Sequence, residues 1–161
     1  MRRSKTKRSN TDKKLNRTIH QIFYNIGKGE LKDIPSFKKC HDHNKKYCKK
    51  NGIKYKLWSE NEVKKLINKP CCSQYKKLYN DFDNHPLGQP IQKIDFARYL
   101  ILWLYGGIYI DLDICIIDNK SKVNKVKDLF KKEYFFVRWN SSHLPYNCLL
   151  YTSPSPRDGL L

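Results

Sequence analysis

Two aspartates one residue apart, Asp111 and Asp113, close the most apolar stretch of the chain. Carboxylates leaving a buried segment at i and i+2 repel each other at a cost unless a cation or good donors compensate. Hard oxygen ligands suit Mg²⁺ or Mn²⁺. Mg²⁺ takes only one or two protein carboxylates while phosphate oxygens and water complete its shell. A bare D-x-D is more often a solvated turn, so the context has to decide. Asp81 and Asp83 form a second D-x-D with no buried strand before it, and that pair reads as a solvated loop. Asp111 and Asp113 read as metal ligands.

The elements that must position them lie just upstream, in the stretch 94–113. From Phe96 to Ile110 the residues are apolar or aromatic except Arg98 and the pair Gly106-Gly107, so this segment has to be buried. Its first half is too continuous to read by period alone, but Phe96, Tyr99, Ile101, Leu102, Trp103 and Leu104 suit a buried helix. Asp95 is expected near the start of that helix, where a carboxylate favours the N-terminal dipole. Gly106-Gly107 stops it, because a glycine past a helix end adopts the left-handed conformation without a Cβ clash. Ile108-Tyr109-Ile110 is β-branched and aromatic and predicts a short buried strand that runs straight into the acids.

The string D-F-A-R-Y-L-I-L-W-L-Y-G-G-I-Y-I-D-L-D resembles the core motif of the DXD sugar-binding glycosyltransferases of family 32, which include yeast-type α-mannosyltransferases and inositol-phosphoceramide mannosyltransferases. Members read S-D-x-x-R-Y, a short apolar run, then Y-G-G-x-Y-x-D-x-D. Here Ile94 stands where Ser or Ala is usual, while Asp95, Arg98, Tyr99, Gly106, Gly107, Tyr109, Asp111 and Asp113 keep the spacing. The resemblance implies a GT-A-like, Rossmann-type α/β/α sandwich with a mixed, mostly parallel sheet, incomplete at the C-terminus. It implies a metal-dependent hexosyltransferase that moves mannose, glucose or galactose from a UDP- or GDP-sugar to a glycan, glycolipid or protein hydroxyl, with retention. Asp113 and Asp111 would hold Mn²⁺ or Mg²⁺ against the diphosphate, Asp111 would also bond the ribose, Asp95 and Arg98 the donor sugar, and Tyr109 the nucleotide.

Upstream, Arg17 to Phe23 predicts a first strand and resembles the family's I-P-K-I-I-H-Q-x-W, which implies nucleotide-side positions for His20 and Gln21. By itself a lone His20 is more often a satisfied structural histidine, and its nucleotide-side role rests on the resemblance. Ser36 is a possible N-cap for a helix to about Lys50. Cys40, His41, His43 and Cys48 cluster in it at no standard zinc spacing, so no zinc site is expected. Asn51-Gly52 is a turn before the period-two strand 53–58, whose Trp58 matches the family's Y-x-x-x-L-W and would stack on the base; a core Trp is the competing reading. Ser59 and Glu62 form a capping box for a helix to about Lys69, ended by Pro70. Residues 71–90 read as irregular, with part of a helix at 73–79.

The chain carries 33 basic and 15 acidic residues in 161, a net charge of +18, with 39% hydrophobic residues and a mean hydropathy of -0.77. One modest domain behind a very polar surface is expected. Residues 1–14 hold seven Lys or Arg and almost nothing apolar, and predict a disordered basic arm. Weak contact with polyanions or an anionic membrane follows from charge. A dedicated nucleic-acid partner is not expected, since the aromatics sit in apolar runs rather than among exposed basic residues. A basic nucleic-acid-binding protein without catalysis and an inactive truncated pseudo-glycosyltransferase are the competing readings.

Residues 1–14 lack the apolar core of a secretory signal, and no run approaches the length of a membrane span, which predicts a cytoplasmic or membrane-peripheral location. Six cysteines without such a signal fit a reducing compartment better than a disulfide framework. The donor-binding part is expected at 15–147. The segment 148–161, C-L-L-Y-T-S-P-S-P-R-D-G-L-L, resembles the translation of a sequencing adapter; it is expected to be non-native, extended, unpaired at the sheet and without site residues. The native frame is expected to continue beyond Asn147, and the chain as it stands to lack activity.

Overall fold

The computed structural model describes residues 17–27, 29–84, 90–117, 126–130, 134–138 and 145–152. The basic arm 1–14 and the segment 153–161 lie outside them. Strand β1 (Thr18–Phe23) leads to helix α1 (Pro35–Asn51), strand β2 (Lys54–Ser59) and helices α2 (Glu60–Ile67), α3 (Lys76–Asn84) and α4 (Pro90–Tyr105). Strand β3 (Gly107–Ile110), helix α5 (Val126–Leu129) and strands β4 (Tyr134–Arg138) and β5 (Pro145–Thr152) follow.

One sheet in the order β2-β1-β3-β5-β4 carries the fold. β1 pairs in parallel with β2, Ile19 opposite Tyr55, and with β3, Ile19 opposite Ile108. The β5 strand runs antiparallel to β3 and to β4. The sheet is therefore mixed, with a three-strand parallel core as expected.

Side chains alternate across a strand, and the two faces bury different cores. On one face Ile22, Trp58 and Tyr109 pack with Val63, Leu66, Tyr79, Ala97 and Ile101 of α2, α3 and α4. On the other, Ile19, Ile108 and Ile110 pack with Tyr47 and Cys48 of α1 and with Phe130. Helices on both faces make the α/β sandwich. Among the described residues no helix is long and apolar enough to cross a membrane.

The local signals hold where backbone chemistry sets them. Ser59 accepts from the Glu62 N–H while the Glu62 carboxylate takes the Ser59 N–H, so the capping box is complete. Gly52 ends α1 in the left-handed conformation. Helix α1 starts two residues earlier than the Ser36 cap predicts: Ile34 is the N-cap and Pro35 the first helical residue, a place where its missing N–H costs nothing.

Other expectations are corrected. Within the expected irregular stretch 71–90, residues 71–84 are helical: Pro70–Tyr75 form a 3₁₀ segment that passes into α3, and 85–89 lie outside the described residues. Asp81 and Asp83 therefore lie on a helix and not in a loop, and Asp83 pairs with the buried ammonium of Lys93 on α4. Helix α4 begins at Pro90, which puts Asp95 more than a turn inside it, beyond the reach of the N-terminal dipole. The backbone of Pro145–Thr152 is extended and pairs with β4 and, over 149–152, with β3, against the expected unpaired tail from residue 148. The reason is physical: β3 presents a row of unpaired N–H and C=O groups, and such an edge accepts an extended segment with little regard to its side chains.

Candidate active site

The strand order 2-1-3 means that the chain leaves β1 toward one side and returns on the other. In open α/β sheets ligands bind at such a switch point, in the crevice beyond the carboxyl ends of the strands. Here the carboxyl ends of β1 and β3 open onto a cleft of about 400 Å³. Phe23 and Tyr24 come to it from β1, and Asp111, Leu112 and Asp113 from the turn after β3. Asp95 and Arg98 of α4 join them in its wall, with Ile34 and Phe37 at the start of α1.

Asp111 is the better held of the two acids. The Tyr109 hydroxyl donates to its Oδ1 at 2.8 Å, and the Arg98 guanidinium lies 3.6 Å away. Arg98 also pairs with Asp95 one helical turn earlier and sits 5.0 Å over the Tyr109 ring. Burial nevertheless pushes the Asp111 carboxyl above its ordinary range, with Arg98 and Tyr109 pulling the other way and Asp113 adding to the rise. Burial likewise pushes the Tyr109 hydroxyl well up. Asp113 is exposed, and among the described residues nothing hydrogen-bonds its carboxylate.

This donor set fits a hard divalent cation. Two carboxylates of opposite accessibility share one turn, and a nearby positive charge would offset the burial, and the smaller repulsion from Asp113, that raise Asp111. Among the described residues no three of His, Cys, Asp and Glu converge, so these residues leave most of the shell to other ligands.

Asp95, Arg98, Tyr109, Asp111 and Asp113 are thus brought together, but His20, Gln21 and Trp58 are not. Trp58 is buried, donates its indole N–H to His20 Nδ1 at 3.2 Å and packs on Tyr105, with the Lys56 ammonium 5.1 Å over its ring. His20 donates Nε2–H to the Gly106 carbonyl at 3.0 Å, so both ring nitrogens are satisfied in one neutral tautomer. Gln21 donates to the Asp111 carbonyl at 2.9 Å and accepts from the Tyr55 hydroxyl at 2.6 Å. In the structure these three side chains act as braces, and none of them lines the cleft. They lie below the strand ends, inside the protein, and hold the backbone that carries the acids.

The neutral state of His20 has a measurable consequence. Burial pulls its pKa down from 6.5 to about 4, against the raising effect of its bond to Gly106, and the Lys56 charge adds a smaller downward pull. The unfolded chain then binds the extra proton first, so this stability is intact above pH 6.5 and drains away as pH falls toward 4. At about 1.4 kcal/mol per unit the loss comes to about 3 kcal/mol. Urea midpoints measured from pH 7 to 4 should fall more steeply for the wild type than for His20→Gln; equal slopes would show that His20 does not titrate in this way.

Sequence spacing also missed a disulfide. Cys40 of α1 is bonded to Cys115, 75 residues away and just past the acid turn. This corrects the expectation of reduced cysteines throughout; Cys48, Cys71 and Cys72 are free thiols. His41 and His43, grouped with Cys40 in the sequence, point elsewhere, to the Tyr55 hydroxyl and the Ile116 carbonyl.

Residues 31–136 match the family described as the glycosyltransferase sugar-binding region containing the DXD motif. Inositol phosphoceramide mannosyltransferase 1 of Schizosaccharomyces pombe is 33% identical over 103 residues, covering 63% of this chain and 28% of that protein. A glycosyltransferase of Acanthamoeba polyphaga mimivirus is 32% identical over 134 residues, 81% of this chain and 46% of its own length. The mannosyl phosphorylinositol ceramide synthase of Saccharomyces cerevisiae is 33% identical over 100 residues, 59% of this chain and 22% of that protein. The chain spans less than half the length of these relatives. No solved structure matches it. With the family matched across the acid turn, the buried strand and the helix that faces them, the chain belongs to the DXD-motif glycosyltransferases.

Proposed function

We propose that this chain is the donor-binding part of a metal-dependent hexosyltransferase of GT-A type, which moves a hexose from a nucleoside diphosphate sugar to a hydroxyl of a glycolipid. The observation that supports this most is the meeting of Asp111 and Asp113, at the carboxyl end of β3, with Asp95 and Arg98 across one cleft. Mannose is the favoured hexose and a phosphoinositol-type headgroup the favoured acceptor, because relatives are named for that transfer. The family resemblance supports retention at the anomeric carbon.

In this reading Asp113 binds the cation directly and Asp111 binds it directly or through water. A divalent cation held by these two residues would supply the positive charge that a departing nucleoside diphosphate needs. Arg98 holds Asp111 and Asp95 correctly turned, while Asp95 presents its outer oxygen to sugar hydroxyls. The Tyr109 hydroxyl holds Asp111 in its rotamer. Apolar side chains of the cleft, Ile34 and Phe37 among them, exclude water from the base and the anomeric centre. The basic arm adds a weak, salt-sensitive attraction to anionic membrane.

Calorimetric titration of the chain with GDP-mannose and with UDP-hexoses, in Mn²⁺ and in EDTA, tests the reading. Binding should appear in Mn²⁺ and weaken about tenfold or more in EDTA, ~1.4 kcal/mol. Binding that is indifferent to EDTA would refute the metal-dependent part, and no binding of any nucleotide sugar would refute the donor site.

A further inference from the structure

Both legs of the acid turn are anchored from the interior, and the second anchor comes from an unexpected element. The turn closes through the Ile114 N–H, which donates to the Asp111 carbonyl at 3.1 Å and so holds Asp113 at its outer corner. The first leg is fixed by Gln21 of β1 on that same carbonyl. The second leg is fixed by Asn44, in the middle of α1. Its Nδ2 donates to the Ile114 carbonyl at 2.8 Å, and its Oδ1 accepts from the Ile116 N–H at 2.8 Å. Asn44 is fully buried. Between its two contacts sits Cys115, tied to Cys40 one turn earlier on the same helix face.

We propose that Asn44 is a positioning residue for the divalent-cation site, acting through the peptide of Ile114. A buried amide with donor and acceptor both used on one strand of backbone fixes that strand in position and in rotation about its axis. The disulfide alone fixes only distance. Ile114 is shared: its carbonyl is held by Asn44 and its N–H closes the turn. Rotation of this peptide would swing the Asp113 carboxylate away from Asp111. The cost of an asparagine inside a helix, and of burying an amide, is the signature of a residue retained for what it holds. The inference rests on the reading of Asp111 and Asp113 as cation ligands.

Mn²⁺ alone is the probe, titrated into the full 161-residue chain and followed by electron paramagnetic resonance. Asn44→Leu, of similar volume and without the amide, should weaken Mn²⁺ binding about tenfold, the lower end of what lost supporting contacts cost a metal site. Ile53→Ala removes packing from the core cluster that also holds Ile116 but leaves both Asn44 hydrogen bonds in place, and should lower the melting temperature while leaving Mn²⁺ affinity at the wild-type value. Wild-type affinity in Asn44→Leu, or an equal loss in Ile53→Ala, would overturn the proposal.

If Asn44→Leu does not fold, amide exchange in the wild type decides. The Ile116 N–H should be strongly protected and become more so with Mn²⁺; exchange at the rate of an open loop overturns the clamp. Equal Mn²⁺ binding by wild type and Asp113→Asn would remove the cation reading and this inference together. Binding lost in Asp113→Asn but intact in Asn44→Leu removes the inference alone.

Discussion

Asp113→Asn should bind Mn²⁺ about 100-fold more weakly than the wild type and lose metal-dependent donor binding, while melting at the same temperature or slightly higher. An amide oxygen cannot supply the anionic donor that a hard cation needs, and loss of a direct ligand is expected to reach at least the upper end of what lost second-sphere contacts cost. Stability should not suffer, because the Asp113 carboxylate is exposed and among the described residues nothing hydrogen-bonds it. Removing its charge also relieves the repulsion that helps raise Asp111. A residue whose removal costs binding and not folding is kept for its chemistry. Electron paramagnetic resonance titration beside a melting curve checks both halves. Unchanged Mn²⁺ affinity would mean that the exposed acid is not a ligand. A large drop in melting temperature would mean that it has a structural partner after all.

Much of this was legible because backbone chemistry writes itself into sequence. The glycine pair after an apolar helix, the β-branched strand behind it, the Ser59–Glu62 box and the Gly52 turn each need particular residue types at fixed offsets. The acid pair could be told from Asp81 and Asp83 by the buried strand that precedes it. Side-chain direction along a strand was harder. His20 lies three residues before the end of β1, opposite Tyr109 of β3, but its ring is turned to the Gly106 carbonyl and the Trp58 indole and does not line the cleft. Resemblance at the level of a strand names the strand that leads to the cleft, but not which way each side chain on it is held.

Contacts between distant segments were not legible at all. Nothing local to Cys40 or Cys115 announces their bond, and nothing near Asp83 announces Lys93, because each pairing is set by how α1 and α4 pack. Asn44 left one trace. It falls with Cys40, Tyr47 and Cys48 on the buried stripe of α1, an amide where helical spacing calls for an apolar residue. The pairing of 145–152 was missed for the opposite reason: the strand edge that receives it selects backbone rather than side chains.

Gly107→Ala should be the most damaging single methyl in the described chain. Gly107 opens β3 at φ +92, a conformation that costs an L-residue about 1 to 3 kcal/mol. Its Cβ would also stand 2.5 Å from the Thr18 carbonyl oxygen and 3.0 Å from His20 Nε2. Thr18 is backbone of β1, so it can yield only by opening the β1–β3 pairing at Ile19 and Ile108, and overpacking of that kind adds about 1 to 3 kcal/mol. His20 cannot yield either, since its ring is bonded at both nitrogens. The two effects together come to about 4 kcal/mol, a large share of the roughly 5 to 15 kcal/mol that holds a domain. Gly52→Ala isolates the clash. It has a similarly positive φ of +65 but nothing within 4 Å of the added carbon, so it should lose only about 1 kcal/mol. Urea midpoints of the two variants compare them directly. Because β3 leads straight into Asp111, any Gly107→Ala protein that folds should also bind Mn²⁺ poorly. A midpoint no lower than that of Gly52→Ala would show that β1 and β3 can part without cost, and the braced strand end described here would not exist.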